Sequence, residues 1–447
     1  MNSLLCILIL MALGGAAAGG SPRLGSPDHA EGAGKAAPVV AEPEERPPAN
    51  QAEAAAALKA VGVYTSSGRI YAPGKPEITD REMAYLRFFP DADTFDFPGP
   101  TKVTDAGFGL LRSLTRLKRV RIECTPIDGS WLTAIRGMKD LQSLDLSNTR
   151  VGDKALENLA GLPNLRGLLL DGCPVTDAGL AQLKGLRSLG LLGLRGTLVT
   201  DAGLENIGAL TQLNALYLGP KVTDAGMRHL KNLANLGHLE APSGIGDAGL
   251  AELRGLTKLQ EVSELRGVTD AGLRCLAGMP RLTALYLQQS NVTDAGLAAI
   301  AGAKDLEELY LHGRGITDAG LATVGGFTKL AWLGLRSTSA TDAGIKRLAP
   351  LRGLRSLDLE DTQITDAALG DIARMPDLES LNLSGTRVTG AGMPQLRVLT
   401  KLWQLSLFRT AVRVPDVKCL EGMNGPDRTC ALEIHLRLPP APKKHFQ

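Results

Sequence analysis

Eleven aspartates recur almost evenly along the 447-residue chain: Asp105, Asp153, Asp177, Asp201, Asp224, Asp247, Asp270, Asp294, Asp318, Asp342 and Asp366. Eight of them stand inside the tetrapeptide TDAG. A column of carboxylates is first of all a candidate for binding cations. Calcium, however, takes about six to eight oxygen ligands converging on one point, and one carboxylate per copy does not converge. The column is therefore expected to be structural, with no metal and no other cofactor. The six histidines (His29, His229, His238, His312, His435 and His445) are scattered. The chain contains no HExxH, GxSxG, CxxC or P-loop pattern, and no catalytic site is expected.

A second group of residues suits recognition. Aromatics make up only 4% of the chain, yet outward-facing strand slots hold Tyr217, Tyr286 with Gln288, Tyr310 with His312, and Trp332 with Arg336, followed by Asp358 with Glu360. Tyr286, Tyr310 and Trp332 are expected on three consecutive strands as one patch. Tyr, Trp and Arg dominate binding hot spots. Ordinary cross-strand stacking that supports a sheet is the other reading, and sequence alone leaves both open.

These side chains need a scaffold, and the repeat supplies it. Spacings between successive aspartates are mostly 24 residues, with 23 for the copies ending at Asp224, Asp247 and Asp270; Gly129 and Gly390 take the aspartate's slot in two variant copies. A fixed period in this range marks a solenoid. In each copy a stretch such as "LQSLDLSNTRV" (141–151) alternates inward Leu144 and Leu146 with outward Asp145 and Ser147, the period of a strand. A stretch such as "TDAGLAQLKGL" (176–186) repeats Leu180, Leu183 and Leu186 along one face of a short helix. Thr176 stands where a helix cap belongs, Asp177 faces the positive helix end, and Ala178 and Gly179 permit close approach of neighbouring copies. Each helix is too short to persist alone in water.

The frame L-x-x-L-x-L-x-x-(T/C)-x-(V/I) followed by (V/I)TDAGL resembles the leucine-rich repeat, in its cysteine-containing, ribonuclease-inhibitor-like subclass. Similar TDAGL arrays occur in eukaryotic F-box partner-recognition proteins and in exported bacterial proteins. The resemblance covers about residues 78–420. It implies an α/β solenoid of about fourteen repeats, a horseshoe or arc with a parallel concave β-sheet and short convex helices. It also implies a concave face that binds protein. The turn position usually held by Asn or Cys is mainly Thr here (Thr125, Thr149, Thr197, Thr338, Thr362, Thr386, Thr410), with Cys at Cys173. A threonine hydroxyl can also bond turn backbone.

Residues 1–18 read as a secretory signal peptide: an apolar run from Leu4 to Leu13 is followed by Ala16, Ala17 and Ala18, although no Lys or Arg precedes it. Residues 19–52, rich in Pro, Ala and Glu, read as a disordered tether. Residues 53–77 are expected to form an N-terminal cap, with a helix ending near Gly62 and a hairpin turning at Ser66, Ser67 and Gly68; residues 421–447 are expected to form a C-terminal cap and tail. Within the array, neighbouring strands lie about 4.8 Å apart. Cys124, Cys173 and Cys275 are therefore too distant to pair and are expected as packed thiols, whereas Cys419 and Cys430 are the pair that can form a disulfide. Among the 23-residue copies, Glu264 falls in an inward slot, so a local bulge is expected to keep it in water.

A net charge of +2 without a basic cluster argues against nucleic acid, and no span crosses a membrane. The expectation is an exported, monomeric, non-catalytic scaffold recognising an unidentified protein. A carbohydrate or cell-envelope binder and an F-box-like cytosolic adaptor are the alternatives. No F-box-like helical segment precedes the array, and export would oppose the second.

Overall fold

Alternate leucines make each short strand apolar on one side only, and the chain stacks those one-sided strands in sequence order. In this computed structural model, which describes residues 46–287, 289–421 and 433–435, the strands form a 17-stranded sheet. It opens with a hairpin of β1 (Tyr64–Ser66) and β2 (Arg69–Tyr71), paired antiparallel. There follow β3 (Thr94–Phe97), β4 (Arg119–Ile122), β5 (Ser143–Asp145), β6 (Gly167–Leu169), β7 (Leu191–Gly193), β8 (Ala215–Tyr217), β9 (His238–Glu240) and β10 (Glu261–Ser263). Then come β11 (Ala284–Leu287), β12 (Glu308–Leu311), β13 (Trp332–Gly334), β14 (Ser356–Asp358), β15 (Ser380–Asn382), β16 (Gln404–Ser406) and β17 (Glu433–His435). From β3 onward each strand runs parallel to its predecessor. Leu285, Leu309, Leu333, Leu357, Leu381, Leu405 and Ile434 stand in direct register, one leucine column under seven strands. A slip of one residue in any copy would turn its leucines into water.

The helical half of each copy starts at the repeated aspartate, as in Asp177–Gln182, Asp318–Val324 and Asp342–Arg347. Leu180, Leu321 and Ile345 point into the common core and are buried. At the corner, the threonine hydroxyl accepts from the N–H of the alanine, as with Thr341 and Ala343 at 3.3 Å. The aspartate does more than offset the helix dipole. Asp318 reaches forward to the next copy, where Thr341 donates its backbone N–H (2.8 Å) to one carboxylate oxygen and its hydroxyl (2.6 Å) to the other. The same two-pronged link joins Asp80 to Thr104, Asp153 to Thr176, Asp177 to Thr200, Asp201 to Thr223 and Asp247 to Thr269. It recurs from Asp270 to Thr293, Asp294 to Thr317, Asp342 to Thr365 and Asp366 to Thr389.

The fourth letter of the tetrapeptide follows from this ladder. A Cβ on Gly344 would sit 2.3 Å from the Asp318 carboxylate and 2.7 Å from Leu321. Glycine leaves room for the preceding copy's aspartate; Ala368 is the one larger residue in that slot behind an intact link, with Asp342 still holding Thr365. The exceptions obey the same logic. Gly129 and Gly390 carry no carboxylate, and the copies after them lack the threonine: Gly152 and Arg413 stand in its place. At these two joints carboxylate and hydroxyl are both absent, whereas Asp224 and Asp105 meet no threonine and accept backbone N–H groups of Gly246 and of Asp128 and Gly129.

On the opposite corner, the turn threonines donate to backbone carbonyls within their own copy: Thr149 to Leu146 (2.7 Å), Thr362 to Leu359 (2.7 Å) and Thr386 to Leu383 (2.6 Å). Cys173 fills that position in its copy, is buried, and its thiol donates to Leu146 O across the copy boundary at 3.1 Å.

The N-terminal end is covered by α1 (Gln51–Ala60), capped by the Asn50 side chain, with Leu58 wholly buried. Helix α1 thus begins inside the stretch read as tether. The turn of the hairpin falls at Ser67 and Gly68, both at positive φ. The first copies are filled by aromatics in place of leucine: Phe95, Phe97, Phe108 and Trp131 form one contiguous cluster. The leader (1–18), the tether up to residue 45, and most of the C-terminal cap and tail lie outside the described residues.

Two expectations need correction. Asp145 and Ser147 point toward the open face but are buried: Arg121 and Glu123 lie against Asp145, and the Ser147 hydroxyl donates to it at 2.6 Å. Cys124 is not a packed thiol. It occupies a left-handed turn position (φ 54°) and is exposed, its side chain directed away from the core. Glu264 does stay wet: the backbone turns left-handed there (φ 61°), and Leu265 enters the core in its stead.

Candidate functional site

Alternation places one side of every strand in the core and leaves the other on an open face. On this face Tyr286 and Tyr310 lie in direct register on β11 and β12. Their rings stack with centroids 5.1 Å apart and planes 7° from parallel. The Tyr286 hydroxyl donates to the Glu308 carboxylate, which fixes the ring's orientation. Burial, helped by the adjacent Glu308 carboxylate, pushes the Tyr286 phenol well above its ordinary range. Glu308 is itself raised, first by burial, with the tyrosine hydrogen bond opposing.

Trp332 joins this patch one row away. It stands in register with Glu308, whereas the residue beside Tyr310 on β13 is Gly334. A Cβ on Gly334 would meet Tyr310 Cδ1 at 2.6 Å, so the tyrosine ring leans over the bare glycine backbone. Arg336, at the exposed end of β13, pairs with Glu360 at 3.2 Å. His312 is half-buried on the following turn of β12. Gln288 lies outside the described residues.

Tyr217 does not belong to that patch. It sits on β8, three strands before β11, and the Arg195 guanidinium covers its ring at 3.9 Å from the centroid. Arg195 also holds Glu240 and, at 2.9 Å, Asp171. Burial raises the Asp171 carboxyl while Arg195 opposes that rise. Cys419 is half-buried and its thiol donates to Asp416 O at 3.2 Å. Its expected partner, Cys430, lies outside the described residues.

A further polar cluster was missed by sequence reasoning. On β4 and β5, Arg121 pairs with Glu123 and approaches Asp96 (3.8 Å) and Asp145 (3.7 Å). Burial, with the Glu123 carboxyl alongside, pushes Asp145 up to about 7. The signal was present as acid and base on successive outward slots of adjacent copies. Among the described residues no group of three or more His, Cys, Asp or Glu side chains could hold a metal ion, and no helix is long and apolar enough to cross a membrane.

The repeat geometry meets an independent family description at residues 138–160, which match a Leucine Rich repeat model. The chain folds as a leucine-rich repeat solenoid. A solved structure agrees with this fold. The Leptospira interrogans leucine-rich repeat protein LIC12759 superposes with a TM-score of 0.56 at 18% identity, covering 82% of this chain and 89% of that one. An internalin from Listeria monocytogenes matches with a TM-score of 0.41 at 18% identity, covering 83% and 86%. No curated protein matches the sequence.

Proposed function

We propose that this leucine-rich repeat protein is an exported, non-catalytic scaffold that recognises a polypeptide partner on its open sheet face, centred on Tyr286, Tyr310 and Trp332. The observation that carries this reading is the stacked tyrosine pair held on the sheet face by Glu308. Large aromatic rings already fixed in place lose little side-chain entropy when a partner covers them, which is what a binding hot spot needs. The sheet is supported by its leucine column, and Tyr310 leans over a glycine without filling any core slot. The ring pair is thus dispensable to the core. The apolar leader at residues 1–18 supports export.

The test is a displayed random peptide library selected against the wild-type protein, with the Tyr310→Ala, Trp332→Ala double variant as counter-selection. Binders that need the two rings support the reading. Binders indifferent to them refute it, provided the variant keeps its thermal unfolding midpoint. N-terminal sequencing of the secreted protein tests export: an intact Met1 in the cytosol sinks that part. Glycan-array binding lost in the double variant would move the assignment to carbohydrate.

A further inference from the structure

Two strands of the sheet share the sequence Gly-Leu-Arg: Gly193 to Arg195 on and after β7, and Gly334 to Arg336 on and after β13. In the first, glycine stands in register with Tyr217. Arg195 lies over that ring at 3.9 Å while its guanidinium binds Asp171 and Glu240. The protein thus satisfies an aromatic face and two carboxylates with its own arginine.

In the second, glycine again stands in register with a tyrosine, now Tyr310, and on its other side with Asp358. The arginine is used differently here. Arg336 turns away to Glu360, which Arg409 also holds at 2.8 Å. Among the described residues, no cation lies over Tyr310, and neither Glu308 nor Asp358 has an ion-pair partner. Asp358 accepts the Glu360 backbone N–H at 2.9 Å and the Asn382 side chain, and it feels Arg336 only from beyond ion-pair distance. Burial, then the carboxylates of Glu308 and Asp358, push the Tyr310 phenol up, so both charges are felt at that ring.

The spacing fits a guanidinium. Tyr310 and Asp358 lie two strands apart, about 10 Å between backbones; the ring leans over the side-chain-free Gly334 between them, with one face on Tyr286 and the other toward Asp358. A planar cation stacked on the ring reaches the carboxylate across that gap, and Trp332 borders it from the next row along β13. We infer that the partner presents an arginine side chain to the Tyr310, Gly334 and Asp358 site, occupying there the role that Arg195 plays at Tyr217. This inference rests on the sheet-face reading above and gives that reading a ligand chemistry: a basic polypeptide segment. Arginine is favoured over lysine because its plane stacks on the ring while its edge still donates to a carboxylate.

The experiment uses peptides selected from the displayed library on the full chain. In each binder that needs the rings of Tyr310 and Trp332, every arginine is replaced in turn by citrulline, which keeps the shape and removes the charge. One such replacement is expected to weaken binding about tenfold or more on the wild-type protein. In an Asp358→Asn variant of unchanged thermal midpoint, that penalty is expected to shrink to about twofold or less. If ring-dependent binders tolerate citrulline everywhere, the arginine assignment is overturned and the sheet-face reading stands. A citrulline penalty that persists in full in Asp358→Asn also overturns the assignment. If no binder distinguishes the wild type from the double variant, both fall.

Discussion

The Asp–Thr ladder makes a quantitative claim about how neighbouring copies hold one another, and the link between Asp318 and Thr341 is a suitable place to test it. Asp318→Ala removes an acceptor of two hydrogen bonds, 2.8 Å from the backbone N–H and 2.6 Å from the hydroxyl of Thr341. A hydrogen bond to a charged group contributes about 1.5–3 kcal/mol, and the half-buried N–H left behind adds its own penalty. Part of that is recovered by water at this corner, so the single variant is expected to lose about 2–4 kcal/mol. Thr341→Gly removes the hydroxyl that both donates to Asp318 and caps Ala343 (3.3 Å) but keeps the N–H. Its expected cost is about 1–2 kcal/mol. The double variant reproduces the pairing found at Gly129 with Gly152, where acceptor and donor hydroxyl are both absent. It is expected to fall short of the sum of the singles by about 1 kcal/mol or more, since the two changes break one shared interaction. Urea unfolding of the full chain gives the cycle. Amide hydrogen exchange across residues 318–345 shows whether the loss is local to that boundary, as nearest-neighbour coupling requires. Additivity within about 0.3–0.5 kcal/mol would mean that the ladder is a geometric coincidence of repeated caps, and the reasoning would be wrong.

Other outcomes follow from the same structure. Gly344→Ala forces a methyl against the Asp318 carboxylate and Leu321 and is expected to cost about 1–3 kcal/mol. Gly353→Ala meets nothing within 4 Å and should be neutral or stabilise by up to about 1 kcal/mol; equal costs in urea unfolding at the two sites would contradict the packing argument. Asp145 is held at about 7 in the folded chain, against about 3.9 when unfolded. The folded state thus keeps a proton that the unfolded state releases, and this contribution to stability is present below about pH 3.9 and lost as pH rises through 7. Asp145→Asn should therefore raise the thermal midpoint more at pH 8 than at pH 5; an equal shift at both would show that the carboxyl titrates normally.

The leucine slots were legible because each is repeated more than ten times in a fixed frame, so an occasional Ala241 or Glu264 does not obscure it. The threonine cap was legible for the same reason, being local to one corner. Its second role was not, because the bond from Asp318 to Thr341 spans 23 residues, and a single copy read alone contains no partner. The matching absences at Gly129 with Gly152 and Gly390 with Arg413 were the available sign. Alternation correctly placed Asp145 on the sheet face and wrongly left it in water, since period-two patterning names a side and says nothing of how crowded that side is. Trp332 shows a related limit. The 24-residue offset pairs it with Glu308, so its row was fixed by counting, while the lean of Tyr310 over Gly334 depends on side-chain packing that no spacing encodes.

Because each aspartate grips the copy ahead of it, in most copies through a threonine, the array has a direction, and a copy with both residues is an interchangeable cassette. Such a cassette can be duplicated or excised between Asp153 and Thr389 and still find matching ends. The boundaries at Gly129–Gly152 and Gly390–Arg413 act as punctuation, since neither joint has a carboxylate on one side or a threonine hydroxyl on the other. Insertion or removal of one whole copy is thereby expected to be tolerated best in the central stretch that carries both tyrosine sites, lengthening or shortening the open sheet while its ends stay as they are.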